Sequence, residues 1–380
     1  MELVRATSAA EPAPLSVIVL AAGAGRRMHS ARPKPLHRLC GRPLVRHVLD
    51  AVCGLPDHGV ACDRVVVVVG ADASALSREL HDVKGVTDVV EQGEPRGTAD
   101  AVLVGLTAFA DELDDADVLV VPADVPLVRT PTLAELVAGH RASGAAATIL
   151  AARVDDPAGR LRVVREGSDA KVVQVVEHRA LIGDEHRIDE VATGVWCFRR
   201  SVLAPALRRV DADGLVGEAN LAGVVGVLAR TGHPVEVVHT DAADEVRGIN
   251  DRADLARAEK EMRRRINRAW LEAGVTLVDP DVTYVDATVE LAPDVTVFPG
   301  AVLQGATVVG AGTEIGPGCR LVDTEVGAGC RLESTTAVRA RIGRDCVVGP
   351  HAVLGPGSVL AAATVTGPFY AAGDDPSPSR

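Results

Sequence analysis

Two patterns of apolar positions divide this chain of 380 residues. From residue 16 to about residue 250, short apolar runs alternate with segments in which apolar residues recur at helical spacing. The continuous runs predict strands that are buried on both faces, at 17–20, 65–69 and 118–121. The segments between them predict helices at 43–55, 98–110 and 132–142. Shorter, partly antiparallel strands are expected at 162–164, 171–176 and 195–198. The alternation predicts an α/β fold with a mostly parallel sheet.

A long helix and a new period follow. Residues 251–273 read as one helix, with Asp251 as its cap and Gly274 as its stop. After it, aliphatic residues recur every six positions, with one step of five and one of four, at Val285, Leu291, Val297, Leu303, Val309, Ile315, Leu321, Val326, Leu332, Val338, Ile342, Val348, Leu354 and Leu360. Small residues follow most of them by four, at Ala301, Thr307, Thr313, Cys319, Cys330, Thr336, Cys346, Ala352, Ser358 and Thr364.

One large and one small inward position in every six residues is typical of a parallel β-helix, in which each flat side contributes one hexad. A β-sandwich would not hold this phase, because its strands alternate with a period of two between irregular turns. The patterns therefore predict five regions, which are a disordered segment at 1–14, an α/β domain at 15–250, a linker helix at 251–274, a β-helix at 275–368 and a disordered tail at 369–380.

The net charge of −12 and the aromatic content of 2% argue against a nucleic-acid or membrane-binding protein. One segment differs from this average. Residues 12–49 contain no Asp or Glu but carry seven basic residues, at Arg26, Arg27, Arg32, Lys34, Arg38, Arg42 and Arg46. The seven cysteines are scattered and form no CxxC pair, so we expect reduced, structural thiols. With no apolar run of eighteen residues and no signal-peptide pattern, a cytoplasmic protein is expected.

A glycine-rich turn, LAAGAGRRM at residues 20–28, follows the first predicted strand, and Lys34 follows in PKPL. Backbone N–H groups in such a turn can approach phosphate oxygens, and the basic side chains can neutralise them. The turn lacks the third glycine of a dinucleotide fingerprint and the Gly-Lys-Ser/Thr of a P-loop. A plain turn with solvated arginines is the alternative interpretation. Only four of the 40 basic residues are lysines, and one of them lies here.

Asp124 stands just after another buried strand, where ligand sites of open α/β sheets collect. A carboxylate there suits Mg²⁺, which takes one or two protein oxygens and completes its shell with phosphate and water. A helix cap or turn aspartate is an equal alternative.

Seven features in order carry a resemblance: LAAGAGRRM with PKPL, EQGEPRGTADAV, ADVPL, VVEH, ATGVWCF, GINDRADL and the hexad repeat. Together they resemble the bifunctional N-acetylglucosamine-1-phosphate uridyltransferase/glucosamine-1-phosphate acetyltransferase family. The resemblance implies a Rossmann-like nucleotidyltransferase domain, a left-handed β-helix and a Mg²⁺-assisted reaction of UTP with N-acetylglucosamine 1-phosphate. It also implies a homotrimer formed through the β-helix.

The resemblance implies a role for each matching residue. By this resemblance, the residues that contact the nucleotide are Leu20, Ala21, Ala22, Gly23, Gln92, Gly97 and Thr98. Arg27 and Lys34 would bind the triphosphate as catalytic residues, and Asp124 and Asn250 would hold the Mg²⁺. The sugar side would consist of Ala123, Leu161, Glu177 and Ala192. No protein nucleophile is required, because the sugar phosphate attacks the nucleotide directly.

The chain departs from the family pattern at several positions. Ala192 replaces an asparagine that contacts the sugar, and Leu161 replaces a glycine of the sugar loop. Arg26, Pro95 and the pair Pro122–Ala123 also differ. Loss of a polar sugar contact removes a discriminating hydrogen bond, so another nucleotide or another sugar or cyclitol phosphate stays open as the substrate. A non-catalytic paralogue that binds a sugar nucleotide is the third interpretation.

The family's acetyl-transfer site lies in later coils that carry basic residues, a His, a Tyr and an Asn. Here His351 is the only histidine after His239, and no lysine follows Lys260. We therefore expect no acetyltransferase activity.

Overall fold

A computed structural model describes residues 13–23, 25–71, 74–109, 116–212 and 219–373, with the side chains of 211 and 212 left out. The described chain forms two compact units. The first unit comprises residues 13–37 and 44–252, and the second unit comprises residues 38–43 and 253–373. Residues 1–12 and 374–380, where disordered ends are predicted, lie outside the described residues. In the described part of the chain, no helix is long and apolar enough to cross a membrane.

The first unit is built on one sheet. Its strands are β1 (Leu15–Ala21), β2 (Arg64–Gly70), β3 (Asp88–Gln92), β4 (Asp117–Pro122), β5 (Ala147–Arg153), β6 (Leu161–Glu166), β7 (Lys171–Val176), β8 (Glu190–Arg199) and β9 (Val235–His239). Their order is β9-β5-β8-β4-β1-β2-β3, with β6 paired to β8 and β7. Strand β1 runs parallel to β2 and β4, whereas β8 runs antiparallel to β4 and β5. The predicted mostly parallel sheet is confirmed.

Helices cover both faces of this sheet. They are α1 (Leu44–Cys53), α2 (Ser74–Leu80), α3 (Thr98–Leu106), α4 (Thr130–Ser143), α5 (Arg200–Ala212) and α6 (Gly223–Arg230). Val17 and Val19 of β1 pack into one apolar cluster with α1, α2 and α4, and Ile18 packs into the other with α3, α5 and α6. The continuous apolar runs therefore exist because each central strand feeds two cores. The predicted helix 98–110 is wrong at its end, because α3 stops at Leu106 and turns, and residue 110 lies outside the described residues.

The second unit contains a helix and three stacks of short strands. Helix α7 (Arg252–Glu272) leads into it, and Arg38–Leu39 and Arg42–Pro43 add a small hairpin. The short strands are β10 (Thr276–Leu277), β11 (Tyr284–Val285), β12 (Glu290–Leu291), β13 (Thr296–Val297), β14 (Val302–Gln304), β15 (Val308–Val309), β16 (Glu314–Ile315), β17 (Arg320–Val322), β18 (Glu325–Val326), β19 (Arg331–Leu332), β20 (Thr336–Val338), β21 (Arg341–Ile342), β22 (Val347–Val348), β23 (Val353–Leu354), β24 (Val359–Leu360) and β25 (Ala371–Ala372).

Every third short strand joins the same parallel sheet. The three sheets are β10-β13-β16-β19-β22, β11-β14-β17-β20-β23-β25 and β12-β15-β18-β21-β24. Large aliphatic residues of all three sheets point into one shared core. This is the predicted left-handed parallel β-helix.

Three predictions in this unit are wrong in detail. Ala337, not Val338, occupies the inward position, because Ala337 pairs in register with Leu321 and Leu354 and is fully buried. The coil therefore has two five-residue sides, from 332 to 337 and from 337 to 342. Its small inward residue is likewise Thr335 rather than Thr336. The tail predicted to be disordered from residue 369 instead contains β25, which pairs with β23; Val353 N–H donates to the Tyr370 carbonyl at 2.8 Å, and Gly355 N–H donates to the Ala372 carbonyl at 2.7 Å.

Candidate active site

The carboxyl ends of β1 and β4 open into a cavity of about 880 Å³ in the first unit. It is lined by the turn 20–23, by Arg26, Arg27, Lys34, Gln92, Gly97, Thr98 and Asn250, by 122–124, 159–161 and 177–179, and by Gly194, Trp196 and 219–221, among others. Ligand sites of open α/β sheets lie at this edge, so this cavity is the candidate active site.

Gly25 shapes the turn that follows β1. Its backbone is left-handed with φ of +59°, and a side-chain carbon there would lie 2.6 Å from Cβ of Lys34. Only glycine accepts both conditions without strain. After it, Arg26–Met28 forms a short 3₁₀ turn with Met28 buried beneath. The turn thus places Arg27 at the cavity, and the absence of a side chain at Gly25 lets Lys34 pack against the turn.

Two cations contact the two predicted metal ligands. The Lys34 ammonium forms an ion pair with Oδ2 of Asp124, and the Lys34 side chain is only 12% exposed. Arg27 donates from Nη2 to Oδ1 of Asn250 at 2.9 Å. Backbone hydrogen bonds place these oxygens, since Ile249 N–H donates to the Asp124 carbonyl at 2.8 Å and Ala123 N–H donates to the Leu20 carbonyl at 2.9 Å. The mouth of the glycine turn therefore carries two positive charges and one negative charge, and each cation contacts one side-chain oxygen.

Positive charge also acts on a nearby histidine. Burial, followed by the charges of Arg252 and Arg32, lowers the pKa of His37 below its usual 6.5. His37 is therefore neutral at neutral pH, and the positive potential of this region comes from arginine and lysine. Such a potential suits polyanionic ligands such as triphosphates.

Gln92, Gly97 and Thr98 also line the cavity. Gln92 is buried and donates from Nε2 to the Gly97 carbonyl at 3.1 Å and to Oδ2 of Asp100 at 2.7 Å, which fixes its amide. Gly97 has φ of +107°, and a side-chain carbon there would lie 2.3 Å from the Ala219 carbonyl oxygen. Close packing of residue 219 on this loop thus requires glycine at position 97.

The predicted sugar side is partly apolar. Leu161 and Ala192 are direct partners on the antiparallel strands β6 and β8. Leu161 lines the cavity, whereas Ala192 is buried and does not appear among the lining residues. Both oxygens of Glu177 are held, one by Asn220 Nδ2 and the other by Arg179 Nε at 2.7 Å.

The structure gathers all the predicted site residues except Ala192 into this one cavity. It also adds residues to which sequence reasoning gave no role, among them Arg160, Arg179, Trp196 and Asn220. Trp196 stands inside the quoted ATGVWCF motif, which is a signal that could have identified it. No sequence signal marks Asn220, because its partners Glu177 and Thr98 are 43 and 122 residues away.

Comparison with known proteins identifies the family of this chain. Residues 17–269 match the MobA-like NTP transferase domain. The chain is 41% identical to the bifunctional protein GlmU of Streptomyces avermitilis over 94% of its own length and 73% of the relative's length. It is 36% identical to bifunctional GlmU of Listeria monocytogenes serovar 1/2a, over 88% and 71% of the two lengths.

These similarities extend over both units. The chain therefore belongs to the family of the bifunctional GlmU proteins, and it contains a MobA-like NTP transferase domain of the UDP-N-acetylglucosamine diphosphorylase type.

Proposed function

We propose that this sugar-phosphate nucleotidyltransferase joins UTP to N-acetylglucosamine 1-phosphate and releases pyrophosphate. The observation that carries the proposal is the convergence of the glycine turn with the Lys34–Asp124 and Arg27–Asn250 contacts in one cavity. The turn offers backbone N–H groups to phosphate oxygens, and the two cations neutralise the charge of the triphosphate.

The reaction needs orientation more than covalent chemistry. An oxygen of the sugar phosphate forms a bond to the α-phosphorus of UTP, and the bond from that phosphorus to the pyrophosphate oxygen breaks in line. Residues 20–23, Gln92, Gly97 and Thr98 would hold the nucleotide, and Glu177 would hold the sugar. Arg27 and Lys34 would meet the negative charge that develops on pyrophosphate.

Asp124 and Asn250 have the donor atoms that fit a Mg²⁺ ion. Their carboxylate and amide oxygens are hard ligands, and Mg²⁺ takes its remaining ligands from phosphate and water. Among the described residues, no group of three His, Cys, Asp or Glu side chains could hold a metal, and a site shared with phosphates needs no such group. When bound, Mg²⁺ would neutralise part of the phosphate charge.

Pyrophosphate release over a panel of nucleoside triphosphates and sugar 1-phosphates tests the proposal. UTP with N-acetylglucosamine 1-phosphate should give the highest kcat/KM, and Asp124→Ala should lower it at least about a hundredfold. Asp189→Ala is the matched control, because Asp189 forms an exposed ion pair with Arg153. Turnover that survives Asp124→Ala would refute the metal assignment, and no turnover with any pair would refute the function.

The cross-strand pair Leu161–Ala192 favours a second class of substrate, one that differs from N-acetylglucosamine 1-phosphate in its sugar. One member of this cross-strand pair is large and faces the cavity, and the other is small and buried, so the sugar side presents an apolar wall. Another sugar or cyclitol phosphate with fewer polar groups would fit such a wall. The double variant Leu161→Gly/Ala192→Asn should then shift the preference towards N-acetylglucosamine 1-phosphate, whereas an unchanged ranking of substrates would exclude this alternative.

We also propose that the β-helix of this chain carries no acetyl-transfer site. The support is its composition, since His351 is its only histidine and it contains no lysine. Incubation with acetyl-CoA and glucosamine 1-phosphate should give no protein-dependent release of free CoA. Release above the rate of a protein-free control would overturn the proposal.

A homotrimer is the assembly that we propose. Edge strands invite pairing and association, and Val359 in β24 is 71% exposed. Light scattering should give three times the chain mass of 39.4 kDa, and a monomer mass would contradict this. A cytoplasmic location stays a prediction.

A further inference from the structure

The segment 219–222 connects two sides of the cavity that are distant in sequence. Ala219 accepts a hydrogen bond from Ala99 N–H at 2.9 Å and donates to the Arg96 carbonyl at 2.8 Å. Leu221 N–H donates to Oγ1 of Thr98 at 2.9 Å. These backbone contacts fix the segment against the loop that precedes α3, so its side chains have a defined direction.

The amide of Asn220 has only one orientation that satisfies its neighbours. Its Oδ1 accepts the Ala222 N–H at 3.0 Å and lies 3.5 Å from the Thr98 hydroxyl. The opposite end of the amide is therefore the NH₂ group, and it donates to Oε1 of Glu177. A backbone N–H thus dictates that a donor faces the Glu177 carboxylate.

The second partner of Glu177 is weaker. The Arg179 side chain is 85% exposed, and ion pairs of exposed side chains contribute little because water screens them. Asn220 is partly buried and anchored on both sides, so it determines where the Glu177 carboxylate lies. Ala192 cannot hold Glu177 in the same way, because its side chain has no hydrogen-bonding group.

We propose that Asn220 is a positioning residue that sets sugar affinity by orienting Glu177, an inference that rests on the proposed function. In this arrangement the amide links the Thr98 side of the cavity to the sugar side. Asn220 would thereby fix the position of a carboxylate on the sugar side, where Leu161 contributes an apolar side chain to the cavity.

Two variants separate this role from a purely structural one. Asn220→Asp keeps an oxygen for the Ala222 N–H but replaces the donor with a second carboxylate beside Glu177, whereas Asn220→Ala removes both groups. If Asn220 positions Glu177, both variants raise KM for the sugar 1-phosphate about tenfold or more, with KM for UTP changed less than about twofold. If Asn220 only stabilises the turn before α6, Asn220→Asp has a wild-type KM, and the inference is overturned.

A double-mutant cycle gives the second readout. Once Glu177→Ala has removed the carboxylate, adding Asn220→Ala should change KM for the sugar 1-phosphate by no more than about twofold. Multiplication of the two single effects would contradict the inference. The unmodified chain is assayed first with the full substrate panel: absence of all turnover refutes the proposed function and the inference together, whereas turnover with wild-type KM values in both Asn220 variants refutes the inference alone.

Discussion

Gly23 and Gly25 lie two residues apart in the turn after β1 but face different surroundings. A side-chain carbon at Gly23 would meet nothing within 4 Å, whereas one at Gly25 would lie 2.6 Å from Cβ of Lys34 on a left-handed backbone. The two glycines therefore serve different purposes. Gly25 is required by the fold of the turn, and Gly23 leaves space where phosphate oxygens are proposed to bind.

We predict that Gly25→Ala lowers stability and activity together. The left-handed conformation alone costs about 1–3 kcal/mol for a residue other than glycine, and Lys34 must also move. Gly23→Ala is the matched variant. It should leave the thermal midpoint within about 1 °C of wild type and raise KM for UTP. Thermal denaturation and initial-rate kinetics of both proteins check this, and equal midpoints for the two variants would contradict the prediction.

Contiguous motifs and remote contacts differ in how well sequence reveals them. The turn and Asp124 could be found because each follows a predicted buried strand and has local chemistry, whereas Asn250 was assigned from the family resemblance carried by GINDRADL. Asn220 could not, since its function depends on which residues the fold brings to it. Ala192 was expected at the sugar but is buried and absent from the cavity lining, to which its strand contributes Gly194 and Trp196 instead.

At the level of the element, register decides which side chain of the β-helix is buried. The coil at 332–342 offers two adjacent candidates, Ala337 and Val338. A sequence pattern favours the larger one, but pairing of the backbone with Leu321 and Leu354 selects Ala337. The six-residue period predicted the β-helix correctly because most coils keep it, and it failed where two sides shorten to five.

We predict that Leu321→Ala destabilises the protein by about 2–5 kcal/mol, because Leu321 is fully buried between neighbouring coils. Val338→Ala should cost less than about 1 kcal/mol, since Val338 is half-exposed. Differential scanning calorimetry of the two variants distinguishes the registers. Equal losses of stability in the two variants would indicate that Val338, and not Ala337, points into the core.

Glu190 ties three strands of the first unit together. It accepts two hydrogen bonds from Arg165 of β6, at 2.9 and 2.7 Å, and lies 2.8 Å from Nε2 of His239 in β9. Burial alone would raise the pKa of Glu190, but the hydrogen bonds and charges of Arg165 and His239 outweigh burial and lower the pKa below its usual 4.5. The charged carboxylate is therefore part of the folded state.

Because the folded pKa lies below the unfolded pKa, this stabilisation is complete above about pH 5 and is lost as pH falls through the folded value. Glu190→Gln should lower the free energy of unfolding by about 1.5–3 kcal/mol at pH 7, and the difference from wild type should shrink below about pH 4.5. Urea denaturation followed by Trp196 fluorescence in a Trp270→Phe background measures it. Asp189→Asn, in an exposed ion pair, should change stability by less than about 1 kcal/mol at either pH.

For the whole molecule, net charge and local charge act in opposite directions on an anionic substrate. The chain carries −12, yet residues 12–49 contain seven basic and no acidic residues. Salt screens charges beyond about 10 Å at 0.1 M ionic strength, so the nearest charges dominate binding. The composition alone predicted this contrast, and the structure adds that Arg26, Arg27 and Lys34 line the cavity.

We predict that kcat/KM for UTP falls several-fold as NaCl rises from about 50 to about 500 mM at constant free Mg²⁺. Repulsion by the distant acidic surface is already largely screened at the lower concentration, so added salt mainly weakens the attraction by the basic cavity. Arg26→Gln, which removes one charge at the cavity, should flatten the dependence. A rise of kcat/KM with salt would show that the net charge governs association instead.

Each of the two units contains buried cysteine thiols that can report when the surrounding structure opens. Cys197 in the sheet and Cys319, Cys330 and Cys346 in the β-helix are free and essentially inaccessible, and burial raises the pKa of Cys197, Cys319 and Cys330. The raised pKa keeps Cys197, Cys319 and Cys330 protonated, and burial shields all four thiols, so an alkylating reagent reaches them only when the surrounding structure opens. Mass spectrometry of labelled peptides would therefore measure separately how fast the sheet and the β-helix open, from the alkylation rate of Cys197 and from those of the three β-helix cysteines. No cysteine has to be introduced for this measurement.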